Sequence, residues 1–215
     1  MDKLKIVKMM KDKEIPEDKI KHGEQVCDLA VKIASNMEKV GAKINYDDLM
    51  KGALMHDAGF ARCKGEPLSI SIFDKINATF PDDVLLHGIY GVELAKEMGL
   101  PTSVQLIVLR HEIIAITRDE RAKLGILPLP PEDTIPVTWE EKAVMYADGL
   151  LFLVSTAGLD LWKDPEAPAK GLVGFLQGTI GKLSKEPITL KHPVLQRANR
   201  LNAELKEFAD PKWLV

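Results

Sequence analysis

The chain has 215 residues, 46% of them apolar and 28% charged, the arithmetic of one globular domain long enough to bury a sizeable core. Its 29 Lys and Arg against 32 Asp and Glu leave a formal net charge of -3, so no global positive field favours nucleic acid. Cys27 and Cys63 can build neither a disulfide framework nor a four-sulfur zinc site, and with no signal-like N-terminus or membrane-length apolar run the expectation is a cytoplasmic protein without a membrane partner.

Apolar residues recur at intervals of three and four rather than two, which predicts a mainly helical chain. A long helix is expected from about Glu17 to Val40, with Val26, Leu29, Ala30, Ile33, Met37 and Val40 on one stripe and Gly41 as its stop. The next, about Tyr46 to Ala58, has Asn45 as N-cap, Asp47 and Asp48 in its first turn and Gly59 as its stop. A third runs from Pro81 to Met98 and closes at Gly99; a fourth begins at Pro101 and buries Val104, Ile107 and Val108. Thr138-Trp-Glu-Glu141 is a capping-box pattern opening a fifth helix that ends near Ser155. Helices near 166–183 and 193–208 follow, and Gly171, Gly174, Gly178 and Gly181 share a face suited to close packing. The long connections Phe60 to Phe80 and Thr117 to Val137 are expected to be functional lids or to contain a short helix.

Five of these predicted segments direct chemistry inward. His22 lies on the stripe of Val26, Leu29 and Ile33. His56 falls three after Ala53, with Asp57 beside it. His87 falls three after Val84, His111 three after Val108, and Asp148 four after Val144. Burying any one of these unpaired is costly, and six separate local explanations would be needed. A single requirement for a divalent cation explains all six, since imidazole and carboxylate groups on facing helices suit such an ion. His192 precedes Pro193 in a polar context and is read as outside the site.

The order His22, Gly52-Ala-Leu-Met-His56-Asp57-Ala-Gly59, His87, His111 and Asp148 resembles the HD-domain metal-dependent phosphohydrolase superfamily, in particular its HDIG subset, with Ala58 in place of isoleucine. The resemblance implies an all-α, compact multi-helix bundle with a metal site at its centre, a core of about 18–156 and a C-terminal helical extension of about 163–215 within one domain. It implies that His22, His56, Asp57 and Asp148 hold a primary metal, and that His87 and His111 either ligate a second metal or contact a substrate phosphate. One or two divalent ions are expected, with Mn, Fe, Mg, Co, Ni and Zn undistinguished. Phe60 stands where the subset often has a basic residue, and Arg62 is the substitute expected from sequence.

The expected activity is hydrolysis of a phosphate ester of a nucleotide or other small phosphorylated metabolite. A bound ion lowers the pKa of its water and polarises the phosphoryl oxygen. Asp57, His87 and His111 are the expected catalytic groups, Asp57 as bridging carboxylate between two ions. Arg62, Lys64 and Arg118 are candidate substrate-binding cations from the long loops. Two rival readings are a di-iron oxygenase of the same superfamily and a regulatory module that only holds metal or nucleotide. Other motifs fail: Ala115 replaces the second histidine of a zinc-protease helix after His111-Glu112, the cysteines lack deaminase spacing, and Gly178 to Lys182 lacks P-loop spacing.

Overall fold

The computed structural model describes residues 3–69, 79–180 and 189–214, without the side chains of 68, 69, 79 and 176–180. Within them the helices are α1 (Lys3–Asp12), α2 (Glu17–Glu38), α3 (Tyr46–Met55), α4 (His87–Glu97), α5 (Thr102–Leu109), α6 (Arg118–Lys123), α7 (Trp139–Leu150), α8 (Ala167–Ile180) and α9 (Pro193–Leu205). The strands β1 (Pro67–Ser69) and β2 (Thr79–Pro81) pair antiparallel, with Leu68 opposite Phe80. The fold is all-α apart from this ribbon. No helix of the described residues is long and apolar enough to cross a membrane.

Local chemistry sets many of these boundaries. Asn45 Oδ1 accepts the Asp48 backbone N–H at 3.3 Å at the start of α3. Ahead of α7, Thr138 Oγ1 accepts from the Glu141 N–H while Glu141 Oε2 accepts from the Thr138 N–H, both at 3.2 Å, the expected capping box. Gly41 and Gly99 take left-handed backbone, φ 96° and 68°, where α2 and α4 end. The connection from Thr117 holds α6 behind a second capping box formed by Thr117 and Glu120. The connection from Phe60 opens within a 3-10 turn and then carries the ribbon among its described residues.

Four expectations shift. Helix α1 was not foreseen; it buries Ile6 and Met10. Because α2 ends at Glu38, Val40 is 67% exposed instead of lying on the buried stripe. Helix α3 stops at Met55, and residues Ala58–Arg62 form a 3-10 turn. Helix α4 starts at His87 after a separate 3-10 turn at Val84–Leu86, so Pro81 does not open it. The tail of the helix expected to 183, with Gly181, lies outside the described residues.

The chain forms two compact units. The first comprises Met1–Cys63, Leu86–Glu112 and Pro136–Asp148; the second comprises Lys64–Leu85, Ile113–Ile135 and Gly149–Val215. In the first, α2 packs on α3, α3 on α1 and α5, and α5 on α4, which in turn holds the Ala58–Arg62 turn. Arg110 and Glu141, both buried, are paired at 3.0 Å and tie the end of α5 to the first turn of α7. In the second, α8 packs on α9, and Gly171 admits the side chains of Leu153 and Leu159. Arg197 there donates to the Ala115 carbonyl at 2.5 Å and to both oxygens of Glu120 at 3.0 Å.

Gly59 explains the glycine of the His-Asp-Ala-Gly run. A Cβ there would lie 1.8 Å from the His87 carbonyl oxygen and 2.5 Å from the Gly91 nitrogen, so it serves close backbone approach rather than a helix stop. Both obstacles are backbone and cannot swing away. Gly59→Ala is therefore expected to cost about 3 kcal/mol in urea denaturation, while a loss below about 1 kcal/mol would contradict this packing.

Candidate metal centre

The six residues singled out by sequence all belong to the first unit, and most sit at helix ends. His22 lies within α2; His56 caps the C-terminus of α3; Asp57 follows with φ -93° and ψ 3°; His87 opens α4; His111 follows the α5 cap, Arg110; Asp148 lies in the last turn of α7. His56 and His111 are thus not on helix faces as the periodicity predicts. Each instead serves a terminal carbonyl that has no intrahelical donor. His56 Nδ1 lies 2.7 Å from Ala53 O and His111 Nδ1 2.7 Å from Val108 O. A carbonyl only accepts, so each Nδ1 carries the hydrogen, and each neutral ring presents a lone pair at Nε2.

Those lone pairs converge. His87 Nε2 lies 2.9 Å from His111 Nε2, and His22 Nε2 lies 3.0 Å from Asp148 Oδ1. Asp57 Oδ1 is 3.6 Å from His56 Nε2, 3.5 Å from His87 Nε2 and 3.7 Å from His111 Nε2, while His56 Nε2 is 3.5 Å from Asp148 Oδ1. Donor atoms on one ion with bonds of about 2.1 Å lie about 3.0 to 3.4 Å apart for right-angle to tetrahedral arrangements. The observed separations match that spacing to within a few tenths of an ångström. Two overlapping groups, His22-His56-Asp148 and His56-Asp57-His111, have ligand atoms close enough to hold an ion. His56 Nε2 is buried with no hydrogen-bond partner, a cost that a cation would remove. The residues therefore fit the divalent ion their sequence pattern implies.

Burial is graded across the cluster. The His56 side chain is fully buried, whereas those of His22 and Asp148 keep 28% and 20% of their surface, so that side opens outward rather than into core. Burial opposes charge on His22, His56, Asp57 and Asp148, yet mutual pairing prevails. The Asp148 carboxylate raises His22, and Asp57 with Asp148 raises His56, above the ordinary imidazole value. The neighbouring imidazoles, helped at Asp57 by Lys19, hold Asp57 and Asp148 well below the usual carboxylate range despite desolvation.

Lys19, which sequence reasoning passed over, joins this group. It stands one helical turn before His22, donates to Asp57 Oδ2 at 3.0 Å, and places its ammonium 3.8 Å from the Phe60 ring centroid. Phe60 in turn stacks on His87, with centroids 4.4 Å apart. The spacing Lys19-x-x-His22 was its only sequence signal, and one lysine among many on α1 and α2 does not stand out. Arg62 turns to α4 instead, reaching Glu93 at 3.0 Å and Glu97 at 2.6 Å. Lys64 and Arg118 are exposed residues of the second unit. His192 caps α9, its Nδ1 accepting from the Val194 N–H at 3.4 Å.

These charges predict a pH dependence. The raised imidazoles stabilise the metal-free protein below their unfolded value of about 6.5 and lose that contribution as pH rises through their folded values. The depressed aspartates contribute above about 3.9 and lose it only as pH falls through their folded values, in strong acid. From about pH 6 to pH 9 the melting temperature of chelator-treated protein should therefore fall. The increment on adding Zn2+ should grow, because ligation needs neutral imidazole. An increment that does not change with pH would contradict the proposed ligand set.

Comparison with known proteins places this geometry in a family. Residues 20–153 match the HD domain family model. An uncharacterized protein of Methanocaldococcus jannaschii is 30% identical over 192 residues, which are 89% of this chain and 90% of that protein. The tRNA (cytidine(56)-2'-O)-methyltransferase of Thermoplasma volcanium is 32% identical over 131 residues, 61% of this chain but 31% of that enzyme. Among solved structures, the HD domain of the L. monocytogenes phosphodiesterase PgpH in complex with cyclic-di-AMP is similar with a TM-score of 0.46 and 16% identity, covering 95% of this chain and 97% of that one. With the match spanning both His22 and Asp148 and everything between, the chain belongs to the HD domain family.

Proposed function

We propose that the protein is a metal-dependent phosphohydrolase acting on a phosphate ester of a nucleotide or another small phosphorylated metabolite. The observation that carries this reading is the buried, unpartnered Nε2 of His56 at the meeting point of Asp57, Asp148 and three further imidazoles. His22, His56, Asp57 and Asp148 would hold one ion, and Asp57, His87 and His111 a second. Bound there, a divalent cation would lower the pKa of coordinated water to about 7 and polarise a phosphoryl oxygen.

The remaining chemistry belongs to the chain. Lys19 retains partial exposure and, beyond the hydrogen it gives Asp57, has further N–H donors available to an anion at the open side of the cluster. Its ammonium rests on Phe60, the residue standing where the HDIG subset often has a basic one, so positive charge reaches that neighbourhood from α2. Arg62 is already neutralised by Glu93 and Glu97, and we assign it to that pairing. The half-buried side of the cluster, with His22 and Asp148, admits substrate, while the closed side at His56 and His111 excludes water.

Phosphate release from a panel of nucleotides, cyclic dinucleotides, sugar phosphates and RNA-derived phosphates tests this reading. Activity should appear with a divalent ion and fall to background in His56→Ala and Asp57→Ala variants that remain folded by circular dichroism. Lys19→Met should raise KM or lower kcat/KM by about 100-fold with bound metal retained. Oxygen uptake with iron and no phosphate release would favour an oxygenase, and metal binding with neither activity a regulatory module.

A further inference from the structure

Glu112 is the buried acid that neither the metal cluster nor the helix caps explain. It follows His111 directly, keeps only 9% of its side-chain surface, and neither carboxylate oxygen has a hydrogen-bond partner among the described residues. An isolated buried carboxylate is costly, so its retention calls for a charge or a donor that it serves. The group facing it is His87 Nδ1, 3.5 Å from Oε1.

The other side of the His87 ring sharpens the point. His111 Nδ1 is committed to the Val108 carbonyl, so its Nε2 offers a lone pair to His87 Nε2 at 2.9 Å. Two arrangements compete for a neutral His87. With hydrogen on Nε2, the ring donates to His111 and turns a bare Nδ1 toward the Glu112 carboxylate, lone pair against anion. With hydrogen on Nδ1, the ring faces Glu112 favourably and turns a third imidazole lone pair toward the space beside Asp57 Oδ1, 3.5 Å away. That second state is repulsive at Nε2 until a cation occupies the space, and it is the state a ligand needs. Carboxylate partners of ligating histidines fix the tautomer in this way and raise the basicity of the ligand.

We propose that Glu112 is a positioning residue that holds His87 in the Nδ1–H tautomer and so completes the Asp57-His87-His111 end of the cluster as a second cation site. The inference rests on the two-ion form of the proposed function. It assigns Glu112 no contact with substrate, and it distinguishes the two ends of the cluster, since Glu112 faces His87 whereas His22 Nε2 faces Asp148.

Zn2+ alone, added to the full chain, is the probe. Wild type should bind two ions by atomic emission after dialysis, with constants measured by chelator competition. Glu112→Leu should weaken the second ion by about 10- to 100-fold and leave the first within about twofold. Glu112→Gln, whose side-chain oxygen still accepts from Nδ1–H, should recover most of that loss. Replacing an unpaired buried carboxylate by an apolar group should keep or raise the melting temperature, so weaker metal binding in a protein at least as stable cannot be ascribed to unfolding. Two ions bound with unchanged constants in Glu112→Leu would overturn the proposal. Imidazole nitrogen shifts in metal-free protein at about pH 9 provide an arm that does not need the second ion. A larger fraction of His87 carrying its hydrogen on Nδ1 in wild type than in Glu112→Leu supports the role; an unchanged fraction overturns it. A wild type that binds one ion would instead overturn the two-ion reading, and the tautomer would still decide the role of Glu112.

Discussion

His111 Nε2 and His87 Nε2 face each other at 2.9 Å, while the remaining nitrogen of His111 is tied to a backbone carbonyl. Add the unpartnered Nε2 of His56 and the Oδ1 of Asp57, and four electron-rich atoms share one largely buried space. Protons can relieve part of this repulsion, as the raised values of His22 and His56 indicate. A doubly charged ion relieves it more fully, because one centre can accept lone pairs from several directions at once. The rest of the first unit is arranged to hold these groups against that mutual repulsion.

Helix ends do much of the holding. Placing His56 and His111 just past the last turns of α3 and α5 lets each ring cap its own helix while aiming the opposite nitrogen at the cluster. One hydrogen bond thereby serves both helix termination and tautomer choice. Close backbone approach brings the ends together. Gly59 lies against the first turn of α4, and a Cβ at Gly23 on α2 would come 2.6 Å from the Leu54 carbonyl oxygen of α3. The buried Arg110-Glu141 pair fixes the residue before His111 to the start of α7, whose last turn carries Asp148. Removing either partner would strand a buried charge, so this link resists gradual loss.

Much of this was legible in sequence. Intervals of three and four located α2, α5 and α7, capping chemistry located the starts of α3 and α7, and five polar residues on apolar periodicities, with Asp57 beside one of them, pointed to one shared cation. The reading was poorer where long-range contacts decide. Helix α1 is a short segment of ten residues whose buried side is just Ile6 and Met10, and it is held by packing on α3. A continuous period through His56 hides the end of α3 at Met55, because a histidine that caps a helix and one on its face have the same spacing to Ala53. Lys19 and Arg62 are indistinguishable as charges in sequence. Only the fold directs one to Asp57 and the other to Glu93 and Glu97. Glu112 was set aside with a failed protease motif, since its burial beside His87 depends on how α4 and α5 pack.

The central claim is that His56 Nε2 is a metal ligand. Anomalous diffraction from crystals of the protein loaded with Mn2+ or Zn2+ tests it most directly. The account predicts an anomalous peak about 2.0 to 2.3 Å from His56 Nε2, with Asp148 and Asp57 oxygens in the same coordination shell. A peak located elsewhere, or a loaded protein whose His56 Nε2 lies beyond bonding distance of any ion, would contradict it.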